Sequence, residues 1–293
     1  MCRMTLLAAT VLYLAGVPAL ASAQANAMGA SAQANGQPTV RPVVPGAATA
    51  APVPAAIPTP AAAPAAQPAS PQQRAEVERL DPLARAAFWA TEVDNNPRDT
   101  EAGVRLAHAL RDLGRFEEAA AAAEQVLVVE PANLEAMLEA GRARIGQGQA
   151  FYGIEPLQTA AVQAPRDWRP LSLLAIAFEQ TQRDDEALVM HQRAMALAPA
   201  NPGVVANLAL YYAGHGDAAQ AEQLLRRAVA MPGATAQIRQ DLALVLGLQG
   251  HFDEAERLAR QDLPPDVVAN NMAYLRAASA QTPVRSWDSV RGP

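Results

Sequence analysis

The sequence predicts an all-α solenoid, a stack of helix–turn–helix units, and three registers predict it. Small residues recur every 34 positions at Ala107, Gly141, Ala175, Ala209 and Ala243. A second small register keeps the same step at Ala119, Gly153, Ala187, Ala221 and Ala255. Prolines make a third at Pro97, Pro131, Pro165 and Pro199, with Pro232 one residue early. A single period shared by three registers, with no insertion or deletion, marks one supersecondary unit used repeatedly.

Frames beginning at Thr100, Leu134, Trp168, Pro202 and Ala236 divide the array into five units. In each frame, positions 7, 8 and 11 share one helical face, as apolar residues spaced three and four apart do. Leu106, Leu174, Leu208 and Leu242 occupy position 7, with Ala140 in the second unit. The small residue at position 8 lets the unit's second helix approach closely. Gly114, Gly148, Gly216 and Gly250 then mark the turn, with Gln182 as the exception, and glycine suits the positive φ that ends a helix. The second helix carries the other small register and an apolar stripe through Ala123, Leu157, His191, Leu225 and Ala259. Proline cannot continue a helix, so it stops each unit.

Period, small registers and prolines together resemble the tetratricopeptide repeat, although the family's early tryptophan is absent, with Gly103, Met137, Leu171, Val205 and Arg239 in its place. The resemblance implies a right-handed superhelix of five repeats over residues 100–263, and a function in binding other proteins.

Atypical ends are expected of a solenoid. Residues 74–99 read as a helical half-repeat, with Asp81–Asp94 as its second helix and Phe88 and Trp89 packing on the first full unit. Asp262-Leu263-Pro264-Pro265 breaks the fifth unit, and a capping helix follows within 264–280, its stripe formed by Val268, Met272 and Leu275. The tail, 281–293, holds an isolated Trp287, expected to fold back on the array.

Residues 1–23 read as a signal peptide. Arg3 precedes the apolar run Leu6–Val17, and Ala21-Ser22-Ala23 is a small-x-small cleavage site. The run is short for a membrane span, which takes about 20 residues. The expected location is exported and periplasmic, peripheral to an outer membrane at most through protein contacts; a retained anchor is the weaker alternative. The only cysteine, Cys2, precedes the run, so no lipobox is present and the processed chain has no thiol for a disulfide or a metal. Residues 24–73 form an Ala/Pro-rich linker, too poor in large apolar groups to fold, that serves as a spacer or as a ligand for a proline-binding partner.

The net charge is −6, and all 23 basic residues are arginine. Acidity argues against nucleic acid as partner, because such proteins carry a basic footprint. No metal, cofactor or catalytic residues are expected. His108, His191, His215 and His251 fall at unrelated frame positions, and no nucleophile motif or phosphate loop occurs. His191 lies on the apolar stripe and reads as a core histidine.

The candidate site is a protein-binding groove lined by the first helix of each unit at positions 2, 5, 9 and 12. Its candidate residues are His108, Arg111, Leu138, Arg142, Ile145, Ile176, Glu179 and Leu210. Arginine in the early units and apolar residues in the late ones suit a segment with an acidic end and an apolar end. The same residues would equally form a solvated face and a packing seam.

The C-terminal ending narrows the family. Gly250-His251-Phe252-Asp253-Glu254-Ala255-Glu256, then Asp262-Leu263-Pro264, then Asn270-Asn271-Met272-Ala273-Tyr274-Leu275-Arg276 resembles the TadD proteins of Flp (tight-adherence) pilus assembly. That resemblance implies a periplasmic scaffold whose partners are the pilus secretin or other assembly components. The missing lipobox sets this chain apart from many members. A general envelope adaptor, in polysaccharide export or outer-membrane assembly, is the alternative, and an enzyme's regulatory subunit a more distant one.

Overall fold

The computed structural model describes residues 68–280, and among them every regular element is an α-helix. The expected signal peptide, nearly all of the linker and the tail with Trp287 lie outside the described residues. Thirteen helices follow in order: α1 Pro71–Val77, α2 Pro82–Asn95, α3 Thr100–Asp112, α4 Phe116–Val129, α5 Leu134–Gly146, α6 Ala150–Gln163 and α7 Trp168–Gln180. After them come α8 Asp184–Leu197, α9 Pro202–Gly214, α10 Ala218–Val229, α11 Ala236–Leu248, α12 Phe252–Ala259 and α13 Pro265–Ala280. Helices α3 to α12 pair as five hairpins whose first helices begin at the five predicted frame starts.

A fourth register, not singled out above, sets those starts. Asp99, Asn133, Asp167, Asn201 and Thr235 immediately precede the five first helices, and each side chain accepts a hydrogen bond from a backbone N–H of the first turn. Such caps satisfy donors that the helix leaves orphaned. The turn register behaves as expected: Gly114, Gly148, Gly216 and Gly250 all have positive φ. Gln182 adopts the same conformation, φ 59°, and is the one non-glycine residue to do so among the described residues.

The two small registers face one another. A Cβ added to Gly153 would lie 3.3 Å from the Gly141 carbonyl oxygen, and one added to Gly141 would lie 2.6 Å from Leu157. Ala107, Ala175, Ala209, Ala187, Ala221 and Ala255 are wholly buried at the equivalent places. Their size sets the helix spacing. Between the hairpins sit Leu157, Leu208, Leu225 and Leu246, each fully buried, and each contributes about 1.5–3 kcal/mol by leaving water. His191, 2% exposed, belongs to this interior, with Nε2 2.5 Å from Glu179 Oε1.

Both ends differ in detail from expectation. The helix expected from residue 74 begins at Pro71, three residues inside the segment read as linker, and breaks between Val77 and Pro82. Ser70 and Gln73 form a reciprocal capping box there, and proline is tolerated in a first turn, so a proline-rich sequence is compatible with a helix start. Trp89 is 1% exposed and packs with Val77 and Ala102, joining α1 and α2 to the first unit. At the other end α12 stops at Ala259, before the expected break at Asp262. Val268, Met272 and Leu275 of α13 are buried against the fifth unit as their spacing predicted.

Candidate protein-binding face

The first helices α3, α5, α7, α9 and α11 share one face, and its two halves have different chemistry. In the early half arginines reach acids rather than solvent. Arg111 Nε donates to Glu139 Oε2 at 2.9 Å, and Arg142 Nη1 donates to Glu139 Oε1 at 2.5 Å. One unit on, Arg169 donates to Glu135 at 2.8 Å and to its own helix cap Asp167. Before them, Arg74 of α1 bridges Glu92, Asp99 and Glu101. Burial would push the Asp167 and Asp99 carboxyls up, but hydrogen bonds from Arg169 and Arg74, with backbone N–H groups, hold both below the usual carboxylate range.

These pairs change the expectation of an arginine patch open to an acidic ligand. Glu139, Glu135 and Asp167 already occupy the guanidinium groups: Arg111 and Arg169 span the step between neighbouring units, and Arg142 meets Glu139 on its own helix. Glu139 stands at frame position 6, outside the positions read as groove. A scan for acids within one unit's reach of each arginine would have found it.

The candidate residues divide accordingly. His108 is half-buried, with Nε2 3.6 Å from Asp112. Arg111 and Arg142 belong to the Glu139 cluster, and Glu179 is bound to His191. Ile145, Ile176 and Leu210 are half-buried and keep apolar surface on the face. Leu138 does not line it: the side chain is 0% exposed and packs with Ile154, Leu157 and Leu174. Position 5 of the second unit is part of the interior, because it points between α6 of its own unit and α7 of the next. Gly247 is also covered, with Leu275 of α13 where its Cβ would lie. The face therefore closes at the fifth unit.

In the late half an open cleft of about 850 Å³ lies among the starts of α7, α9 and α11 and the turns before α9 and α11. Trp168, Pro202, Ala206 and Ile238 give it apolar walls; Asn207, Gln237 and Asp241 bring polar groups. Asn207 Nδ2 donates to Ser172 Oγ at 3.1 Å, and Gln237 Nε2 donates to Asp241 Oδ1 at 2.9 Å. Burial pushes the Asp241 carboxyl above the usual range, only partly opposed by the Gln237 hydrogen bond. The expected apolar half thus contains a buried acid, again at position 6. Among the described residues no group of histidine, cysteine or acidic side chains is arranged to hold a metal ion. No helix there is long and apolar enough to cross a membrane.

Tetratricopeptide-repeat family models match residues 101–133, 171–205 and 235–263. The first and last begin within one residue of the frames starting at Thr100 and Ala236. No curated protein matches the chain. Among solved structures, a thermophilic tetratricopeptide-repeat protein of Thermus thermophilus is 24% identical, covers 61% of this chain and 99% of its own, and superposes with a TM-score of 0.55. A tetratricopeptide-repeat protein of Parabacteroides merdae is 13% identical over 70% of this chain and 80% of its own, TM-score 0.58. PilF of Pseudomonas aeruginosa is 17% identical over 64% and 96%, TM-score 0.50. At these identities the likeness shows the fold: the chain carries tetratricopeptide repeats stacked as an all-α superhelix, a scaffold of the kind that binds other proteins.

Proposed function

We propose that the chain is an exported, non-enzymatic adaptor that holds a partner protein along the face of its first helices and assists assembly of an Flp-type pilus. The observation carrying the adaptor assignment is that a constant backbone register presents changing side chains. Position 9 runs from His108 and Arg142 to Ile176, Leu210 and Leu244, and position 6 from Glu139 to Asn207 and Asp241. A rigid frame with a variable lining is a means of recognition rather than of chemistry.

The pilus assignment rests on the ending. Asp262 accepts two hydrogen bonds from Arg239, Leu263 packs on the C-terminal core, Leu275 fills the space over Gly247, and Arg276 stacks on Phe252. The family-like residues thus form the closing cap, while Tyr274 remains half-exposed on it. Deletion of the gene tests this assignment: surface pili should disappear while pilin levels hold. Normal piliation in the deletion strain would overturn it. Partners retained by the tagged protein from native membranes should include the secretin or other assembly components.

A further inference from the structure

Asp241 is buried, and among the described residues it is the one buried carboxylate or histidine with no ionisable partner. Glu92 has Arg74, Glu139 has Arg111 and Arg142, Ser172 has Asn207, and His191 has Glu179. Asp241 is 5% exposed, and the one hydrogen bond to its carboxylate comes from the neutral amide of Gln237. No arginine lies within ion-pair distance of it among the described residues. An ionised carboxylate accepts about four hydrogen bonds, so most of its capacity is unmet on the wall of the cleft.

A desolvated charge is costly unless it meets an opposite charge. Asp241 is also the only titratable side chain on the cleft lining. Around it the cleft offers what an alkyl-stemmed cation uses: apolar walls from Ala206 and Ile238, the indole of Trp168, the amide of Gln237 beside the acid and that of Asn207 on the lining. Long basic side chains bury their stems along apolar surface while the charged head keeps polar partners. We propose that the cleft receives one arginine or lysine side chain from an extended segment of a partner protein, with Asp241 as its counter-charge. This rests on the adaptor assignment and names the chemistry of its partner: a basic anchor, opposite in sign to the acidic end expected from sequence.

The test uses the full chain and a blocked pentapeptide with arginine at the centre of four alanines. Its counterparts carry lysine, citrulline or glutamate at that place. Titration should show saturable binding of the arginine and lysine peptides, and at least tenfold weaker binding of the citrulline and glutamate peptides. Asp241→Asn, which keeps the shape, should weaken the arginine peptide at least tenfold while the free protein unfolds at no lower denaturant concentration. A purely structural aspartate would instead lower stability and leave peptide binding alone, which would overturn the proposal. Arg285 and Arg291 of the tail serve as a second check. If replacing both with alanine strengthens peptide binding, the tail is the occupant and the partner assignment falls. If the chain binds no basic peptide yet captures a protein from native membranes, this inference fails and the adaptor assignment stands. If it binds the peptide but captures no protein, the adaptor assignment fails instead.

Discussion

The second and fifth units place an acid at the same step of the first helix and surround it oppositely. Glu139 and Asp241 are equally buried, at 5% exposure. Glu139 is gripped by Arg111 of the preceding unit and by Arg142 of its own helix, while Asp241 faces an open cleft with a single amide beside it. Backbone, register and burial are alike, so the difference lies in the cations supplied by the same helix and by the preceding unit. In the early half the acid ties units together. In the late half it is left for something else to satisfy.

Glu139→Gln should cost most, about 1–3 kcal/mol in a denaturant titration, because one arginine loses its acceptor to an NH2 group and the other is left with a neutral amide oxygen. Asp241→Asn should act in the other direction. Burial raises the folded-state pKa of Asp241, so its ionised form destabilises the fold as pH rises from about 4 through that raised value. At pH 7 the variant should therefore be more stable in a denaturant titration, and the gap should close as pH falls towards 4.

Gln182→Gly should add about 0.5–1 kcal/mol, since glycine takes the left-handed turn without the strain glutamine accepts. That turn lies in the third unit, between the paired half and the cleft half. Hydrogen exchange in the variant would show whether the gain spreads to one half or to both. Asp262 should titrate with the opposite sign to Asp241. Arg239 holds its carboxyl below the usual value of 3.8, so the contact supports the C-terminal cap above about pH 4 and is lost as pH falls below it. Exchange in α11–α13 measured from pH 5 to pH 3 checks this. Raising salt to 1 M should have the smallest effect, about 0.2–1 kcal/mol for an exposed pair such as Arg169–Glu135, and should speed exchange in α3–α7 more than in α9–α11.

The scaffold was legible because its determinants repeat. The small residues of both registers, the turn glycines and the prolines each recur at a fixed step, and the caps from Asp99 to Thr235 show the same step once looked for. The face was less legible because its determinants are pairs. Arg111, Arg142 and Arg169 can be read off the sequence, but which acid each meets, on its own helix or on a neighbouring unit, depends on where a long side chain ends. Position 6 therefore carries no signal in the repeat pattern itself. Leu138 was placed in the groove by its frame position, whereas packing against Leu157 and Leu174 decides where it sits. At the N-terminal end, Pro71 looked like more linker, and only the Ser70–Gln73 capping box distinguishes a helix start from an extended segment.

The two ends have a consequence for the chain as a particle. Every unit offers its successor much the same apolar face, and a face of that kind left open at both ends would let one molecule stack on the next. Such head-to-tail contacts do not close on themselves, and they propagate into filaments. Val268, Met272 and Leu275 cover the face a sixth unit would use, and α1 and α2 pack on the first. The terminal helices therefore cover the two faces through which such growth would run, as well as stabilising their neighbours.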